Sequence, residues 1–189
     1  QPLKDGDLLL IDAAAEHDRY AADITRTFPV NGRYTAVQKD AYEIVLAAQL
    51  AAIDAARPGN RFDAPHEAAL RVLTQGLVDL KVLQGEVDGL LESEAYKPWY
   101  MHKTGHWLGL DVHDVGDYKL QGAWRELQPG MALTVEPGLY FRPADNVPKA
   151  LWNIGIRIED DVLVTEEGNR VLTAAAPKTV ADIEAAMRP

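Results

Sequence analysis

The chain has 189 residues and no cysteine, with 29 Asp+Glu against 19 Lys+Arg, a formal net charge of −10 and a pI near 4.9. At roughly 100–200 residues per domain this is one domain, large enough to bury about 70% of its unfolded surface unaided, and the missing cysteines exclude a disulfide framework, a thiolate zinc finger, an iron–sulfur cluster and a cysteine nucleophile. The acidic balance, with no Lys/Arg cluster, opposes nucleic acid and anionic membrane as partners; no apolar stretch approaches the about 18–20 residues of a membrane span, and no basic-then-apolar leader is visible.

In chain order, Asp7 to Asp12 (DLLLID) reads as a buried strand. Because a strand this early needs a neighbour, the chain is expected to be a fragment of a longer protein. Tyr20 to Phe28 (YAADITRTF) reads as a second strand, with Asp23, Thr25 and Thr27 on one face, ended by Pro29, Asn31 and Gly32. Thr35 with Gln38 forms a capping box, and Val37, Ala41, Ile44, Val45, Ala48 and Ala52 keep helical spacing to about Ala56. A second helix fits Ala64 to Leu80, with Asp63 as its cap, and a short acidic one fits Val87 to Glu94. From Trp99 onward, HWLGLDVH, MALTVEPGLYF and IGIRIEDDVLV read as strands, Glu166 to Asn169 as a hairpin turn, and Thr179 as the cap of a last helix through Met187. This order lacks regular strand–helix alternation, so the predicted class is α+β.

Three of the five histidines, His102, His106 and His113, crowd into MHKTGHWLGLDVHD. His102 and His106 have the spacing of a helical zinc motif, but Lys103 stands where that motif needs a glutamate, which argues against it. A lone histidine is more often structural than functional; the cluster weakens that reading. Carboxylates interrupt apolar segments at Asp12, Asp23, Glu136 and Glu159. Any one of them could be a strand-end or surface acid, but four together, around the histidines, favour oxygen and imidazole ligands for divalent metal. Four carboxylates bring four negative charges, so two divalent cations would neutralise the set. Two ions about 3.5–4 Å apart activate water and polarise a carbonyl, the logic of metal-assisted amide hydrolysis. Manganese, cobalt or zinc would suit such ligands, and the dominance of oxygen leans toward manganese.

IDAAAEHDRYAADITRTFPVNGRYT, MHKTGHWLGLDVHDVG, LQPGMALTVEPGLYF and GIRIEDDVLVT strongly resemble the Xaa-Pro aminopeptidases (aminopeptidase P), from about Asp5 to Met187. That family has the pita-bread metallopeptidase fold, shared with prolidase and methionine aminopeptidase. The resemblance implies two divalent ions, most simply Mn²⁺, with Asp12 chelating one, His106 and Glu136 holding the other, and Asp23 and Glu159 bridging both. It implies that Glu136 also relays a proton and that His113 binds substrate and steadies the tetrahedral intermediate. His102 and Arg157 take supporting or substrate-pocket positions, as Tyr140 does more weakly. His17 and His66 match nothing catalytic; His17 is expected in a loop and His66 exposed or capping near the start of the second helix. The implied substrates are peptides with proline second. The implied setting is the cytoplasm, with a homo-oligomer as the intact form and no nucleic-acid or membrane partner. Family members carry further sequence upstream, including another active-site histidine and usually an N-terminal domain, so residues 1–189 are expected to be one catalytic-domain fragment, with the missing part as an expected partner. Prolidase and a catalytically silent binding fragment are the competing readings.

Overall fold

A computed structural model describes residues 2–188. The N-terminal part holds β1 (Leu8–Asp12), β2 (Glu16–His17), β3 (Tyr20–Ala21) and β4 (Thr25–Pro29), followed by α1 (Ala36–Ala55), α2 (Ala64–Asp79) and α3 (Val87–Glu92). The C-terminal part holds β5 (Lys119–Leu120), β6 (Ala123–Trp124), β7 (Ala132–Val135), β8 (Gly138–Phe141), β9 (Ile154–Arg157), β10 (Asp160–Thr165), β11 (Gly168–Val171) and α4 (Val180–Ala186), with a 3-10 turn at Lys149–Leu151. The class is α+β, as the element order predicts.

The helix ends follow their caps. Thr35 and Gln38 form the reciprocal capping box of α1, and Thr179 accepts the Asp182 amide at the start of α4. Asp63 does not cap α2, contrary to expectation: its own backbone is helical, and its carboxylate is engaged 2.8 Å from Arg61 Nε, so Pro65 in the first turn marks the start instead. Helices α1 and α2 pack closely. At Gly76 a Cβ would lie 2.3 Å from Ile44 Cγ2, so only glycine permits the approach. Ala41, Val45, Ala48 and Ala52 of α1 and Leu73 and Leu77 of α2 are fully buried, meeting a core that includes Leu133, Val135, Leu139, Ile156 and Val162 from the strands.

All pairings between named strands are antiparallel: β1 with β4, β2 with β3, β5 with β6, β8 with β9, and β7–β10–β11 in a row. The expected turn at Glu166 to Asn169 is a hairpin closing β10 onto β11, with Thr165 opposite Gly168. The long apolar runs are cut where carboxylates intrude. Residues 22–24 separate β3 from β4, Glu136 and Pro137 separate β7 from β8, and Ile158 and Glu159 separate β9 from β10. The expected strand Tyr20 to Phe28 is therefore two strands, because the chain changes partners at the break: Ala22 N–H donates to Ala15 O, and Asp23 N–H turns to the Asp161 carboxylate.

HWLGLDVH does not form the expected strand either. It touches β7 through a single bridge, Trp107 to Leu133, then folds back as the Asp114 amide donates to Trp107 O and the Asp114 carboxylate accepts the Leu110 amide. Gly109 allows this, since a Cβ there would lie 2.0 Å from Asp114 Oδ2. No described helix is long and apolar enough to cross a membrane.

Candidate active site

The strand breaks converge on one cleft of about 1320 Å³. Asp12 closes β1, Asp23 lies between β3 and β4, Glu136 between β7 and β8, and Glu159 between β9 and β10; all four line the cleft with His106. Their donor atoms form three overlapping groups, each within 4.8 Å: Asp12, Asp23 and Glu159; His106, Glu136 and Glu159; and Asp23, His106 and His113. Each group could hold a cation.

Local structure aims these donors. His106 Nδ1 lies 2.9 Å from Trp107 O, and since a carbonyl only accepts, that nitrogen carries the hydrogen. Nε2 is thereby left with its lone pair, 3.4 Å from Asp23 Oδ2 and 3.5 Å from Glu136 Oε1. The loop bearing His106 is pressed onto β7: His106 N–H donates to Thr134 Oγ1, and His106 O accepts from Thr134 N–H. Gly105 makes the approach possible, because a Cβ there would come within 2.0 Å of Thr134 O. Glu136 N–H donates to Thr104 O at 2.7 Å, and its carboxylate accepts from Thr134 Oγ1.

Thr25 joins the two sides. Its hydroxyl donates to Glu159 Oε2 at 2.5 Å, and its carbonyl accepts from Glu159 N–H. Arg157 Nε donates to the same hydroxyl, while its Nη2 is paired with the exposed Asp12. β9 ends at Arg157, yet Arg157 and Glu159 both face the cleft, as their spacing predicts.

Burial dominates the electrostatics. It pushes the Glu136 carboxyl up to about 7, with Asp23 and Asp12 adding to the rise against the pull of Arg157 and Thr134. Burial and then Glu136 push Glu159 up to about 8. Asp23 is raised by burial and by Asp12. These carboxyls sit close enough to disfavour one another's charge.

His102 is half-buried on the cleft wall. Its Nδ1 carries the hydrogen toward Lys103 O, and its Nε2 accepts from the Tyr140 hydroxyl at 2.8 Å, so Tyr140, the weakest expected member, supports His102 without itself lining the cleft. His113 is exposed where it lines the cleft, its ring 4.2 Å from that of His106. His17 pairs with Tyr20 across the β2–β3 hairpin rather than lying in a loop, and it is exposed and away from the cleft lining.

The expectation for His66 is wrong. It is neither exposed nor capping: it lines the cleft from α2, mostly buried, with Nδ1 2.7 Å from Thr104 Oγ1, and burial holds it down at about 4. Thr104 also meets the Tyr100 hydroxyl at 2.6 Å, so the residue whose carbonyl holds the Glu136 amide is fixed from two sides. Nothing in the spacing of the second helix marks His66, because its partner lies 38 residues away.

Residues 1–166 match the profile of Metallopeptidase family M24. The Xaa-Pro aminopeptidase of Haemophilus influenzae is 55% identical over 184 residues, covering 97% of this chain and 43% of that protein. The structure of Pseudomonas aeruginosa aminopeptidase PepP superimposes with a TM-score of 0.97 at 58% identity, covering 99% of this chain and 42% of that one. Escherichia coli aminopeptidase P with the inhibitor Pro-Leu superimposes with a TM-score of 0.93 at 50% identity, covering 98% and 42%. The chain thus spans about two fifths of the length of these relatives. With that coverage and that agreement in three dimensions, the chain belongs to metallopeptidase family M24 and has the pita-bread fold.

Proposed function

We propose that the chain carries the catalytic centre of a two-metal exopeptidase that hydrolyses the Xaa-Pro bond and releases the N-terminal residue of peptides with proline second. The observation carrying this reading is the overlap of the donor groups: Glu159 is shared by the Asp12 group and the His106–Glu136 group, and Asp23 by the Asp12 group and the His106–His113 group, as suits carboxylates shared between two ions. Asp12 then completes one ion's ligands, and His106 with Glu136 the other's. The residues fit such ions: four carboxylates and one correctly tautomeric imidazole converge where carboxyl groups raised by burial and mutual repulsion lack enough compensating cation. Bound divalent ions supply Lewis-acid polarisation of the scissile carbonyl and activation of water.

The chain's own residues do the rest. Glu136 takes a proton from the attacking water and returns it to the imino nitrogen of the leaving proline, since its carboxylate lines the cleft beside His106. His113, beside His106, donates to the substrate carbonyl oxygen as charge develops there. His102 donates its proton to Lys103 O and accepts from Tyr140, so this wall of the cleft is held rigid for the substrate. Arg157 tethers Asp12 and the Thr25 hydroxyl, fixing the ligand that is most exposed to solvent.

Manganese is the proposed metal, since oxygen donors outnumber the single imidazole. The cytoplasm as the setting and a homo-oligomer as the working state rest on the resemblance alone. Metal analysis of the purified chain after dialysis against Mn²⁺ tests the reading directly; two ions per chain are expected, and none would overturn it. Hydrolysis of a Xaa-Pro-Xaa tripeptide beside a Xaa-Pro dipeptide tests the substrate class, and preference for the dipeptide would favour a prolidase.

A further inference from the structure

Glu159 is followed by two more acids, Asp160 and Asp161, and all three are buried though they point to different places. Glu159 enters the cleft. Asp160 is enclosed by Arg26, Lys178, Gln49 and Thr173, so its charge is fully compensated. Asp161 is 2% exposed, lies outside the cleft lining and has no cationic partner among the described residues. A carboxylate buried beside two others, Asp23 and Asp160, needs a reason, since burial without a partner is costly. Its oxygens lie 3.1 and 3.3 Å from one atom, the backbone nitrogen of Asp23.

That amide sits where β3 has ended and β4 has not begun, so no strand partner is available for it. An unpaired buried amide would let the peptide plane rotate, and the direction of the Asp23 side chain follows that plane. Asp23 belongs to two of the three donor groups, so its direction governs both ends of the cluster. Asp161 is held in turn, as its own N–H donates to Thr173 Oγ1 and it pairs with Thr134 across the β7–β10 ladder.

We propose that Asp161 is a positioning residue of the metal centre: by accepting the Asp23 amide it sets the rotation of the 22–24 break and so aims the Asp23 carboxylate between the two ion positions. The inference rests on the two-metal reading above. It assigns Asp161 no contact with substrate or ion. Groups that orient metal ligands from behind are typically worth about 10–100-fold in affinity.

The test compares Mn²⁺ binding to the full chain and to Asp161→Ala and Asp161→Asn, by equilibrium dialysis with metal analysis. The melting of each metal-free chain is followed by circular dichroism. The alanine variant is expected to bind Mn²⁺ about 10–100-fold more weakly with a cooperative melt retained. Asparagine, whose amide oxygen still accepts the Asp23 N–H, is expected to recover most of the affinity. If the alanine variant shows no folded baseline, Asp161→Leu, similar in shape but with no acceptor, carries the same expectation. Visible absorption of the Co²⁺-loaded chains supplies a readout that stability alone does not move: the band should shift in the alanine or leucine variant and return in the asparagine variant. Alanine and leucine variants that bind as tightly as wild type, or an asparagine variant as impaired as alanine, overturn the inference. A wild-type chain that takes up no Mn²⁺ overturns the two-metal reading, and this inference with it.

Discussion

Glu159 is the one residue shared by the group that contains Asp12 and the group that contains Glu136. Replacing it with alanine is expected to abolish uptake of both ions, whereas Asp12→Ala should spare one; metal analysis distinguishes the two outcomes. Glu159 and Glu136 also give the metal-free chain a pH signature. Their folded values of about 8 and about 7 lie above the ordinary 4.5, so the folded state holds protons that the unfolded state has already released. Stability from this source is complete below about 4.5 and is lost as pH rises through 7 and 8. His66 and His102, held below 6.5, act in the opposite sense but have no further effect above that value. Between pH 6.5 and 8.5 the metal-free chain should therefore lose stability, on the order of 2 kcal/mol, visible as a fall in Tm of several degrees. Saturating Mn²⁺ should remove that fall, because the ions take the place of the protons. Asp12, Asp23, Glu136 and Glu159 were legible in the sequence as acids misplaced among apolar neighbours. Asp161 was open to the same argument in the run Glu-Asp-Asp, but its role depends on an amide 138 residues away, and spacing carries no trace of such a contact.

At the scale of elements, the strand breaks matter more than the strands. The helices were readable nearly to the residue, since caps and apolar periodicity are local. The breaks were not, because YAADITRTF keeps a strand-like pattern while its hydrogen bonds change partners. HWLGLDVH misled for a related reason: its alternation reflects residues that bridge once to Leu133 and then fold back through Asp114. Two substitutions test this level. Gly105→Ala places a Cβ against Thr134 O, so the loop must lift from β7 and carry His106 with it. The expected result is a folded chain of unchanged helix content by circular dichroism, with at least tenfold weaker Mn²⁺ binding. Arg26 anchors β4 to the opposite segment: it donates to Thr25 O, Glu159 O and Pro177 O while pairing with Asp160. Burial alone would raise Asp160, but hydrogen bonds from Lys178, Arg26 and Thr173 hold it below the usual aspartate value. Its contribution is present above about 3.8 and lost as pH falls through the depressed value. Arg26→Leu should cost about 3 kcal/mol in urea unfolding, because it leaves buried acceptors and part of a buried charge unpaired.

At the scale of the whole molecule, the cleft is assembled from ends rather than from one element. Its donors come from residues 12, 23, 106, 136 and 159, carried by the first strand, a mid-chain loop and three strand breaks. An ion that touches Asp12, Asp23 and Glu159 therefore ties the beginning of the chain to its last third. In a sequence with no cysteine, such ions would act as cross-links of the folded state alone, held by donors that only the fold brings together and releasable by a chelator. Mn²⁺ at about a hundred times its dissociation constant should add about 2.7 kcal/mol for each ion bound, and EDTA should remove all of it, which paired thermal melts would read. Loss of the ions would then do more than silence the site. It would untie the N-terminal strand pair from the C-terminal strands, and limited proteolysis of the chelated chain should cut first between Asp12 and Asp23.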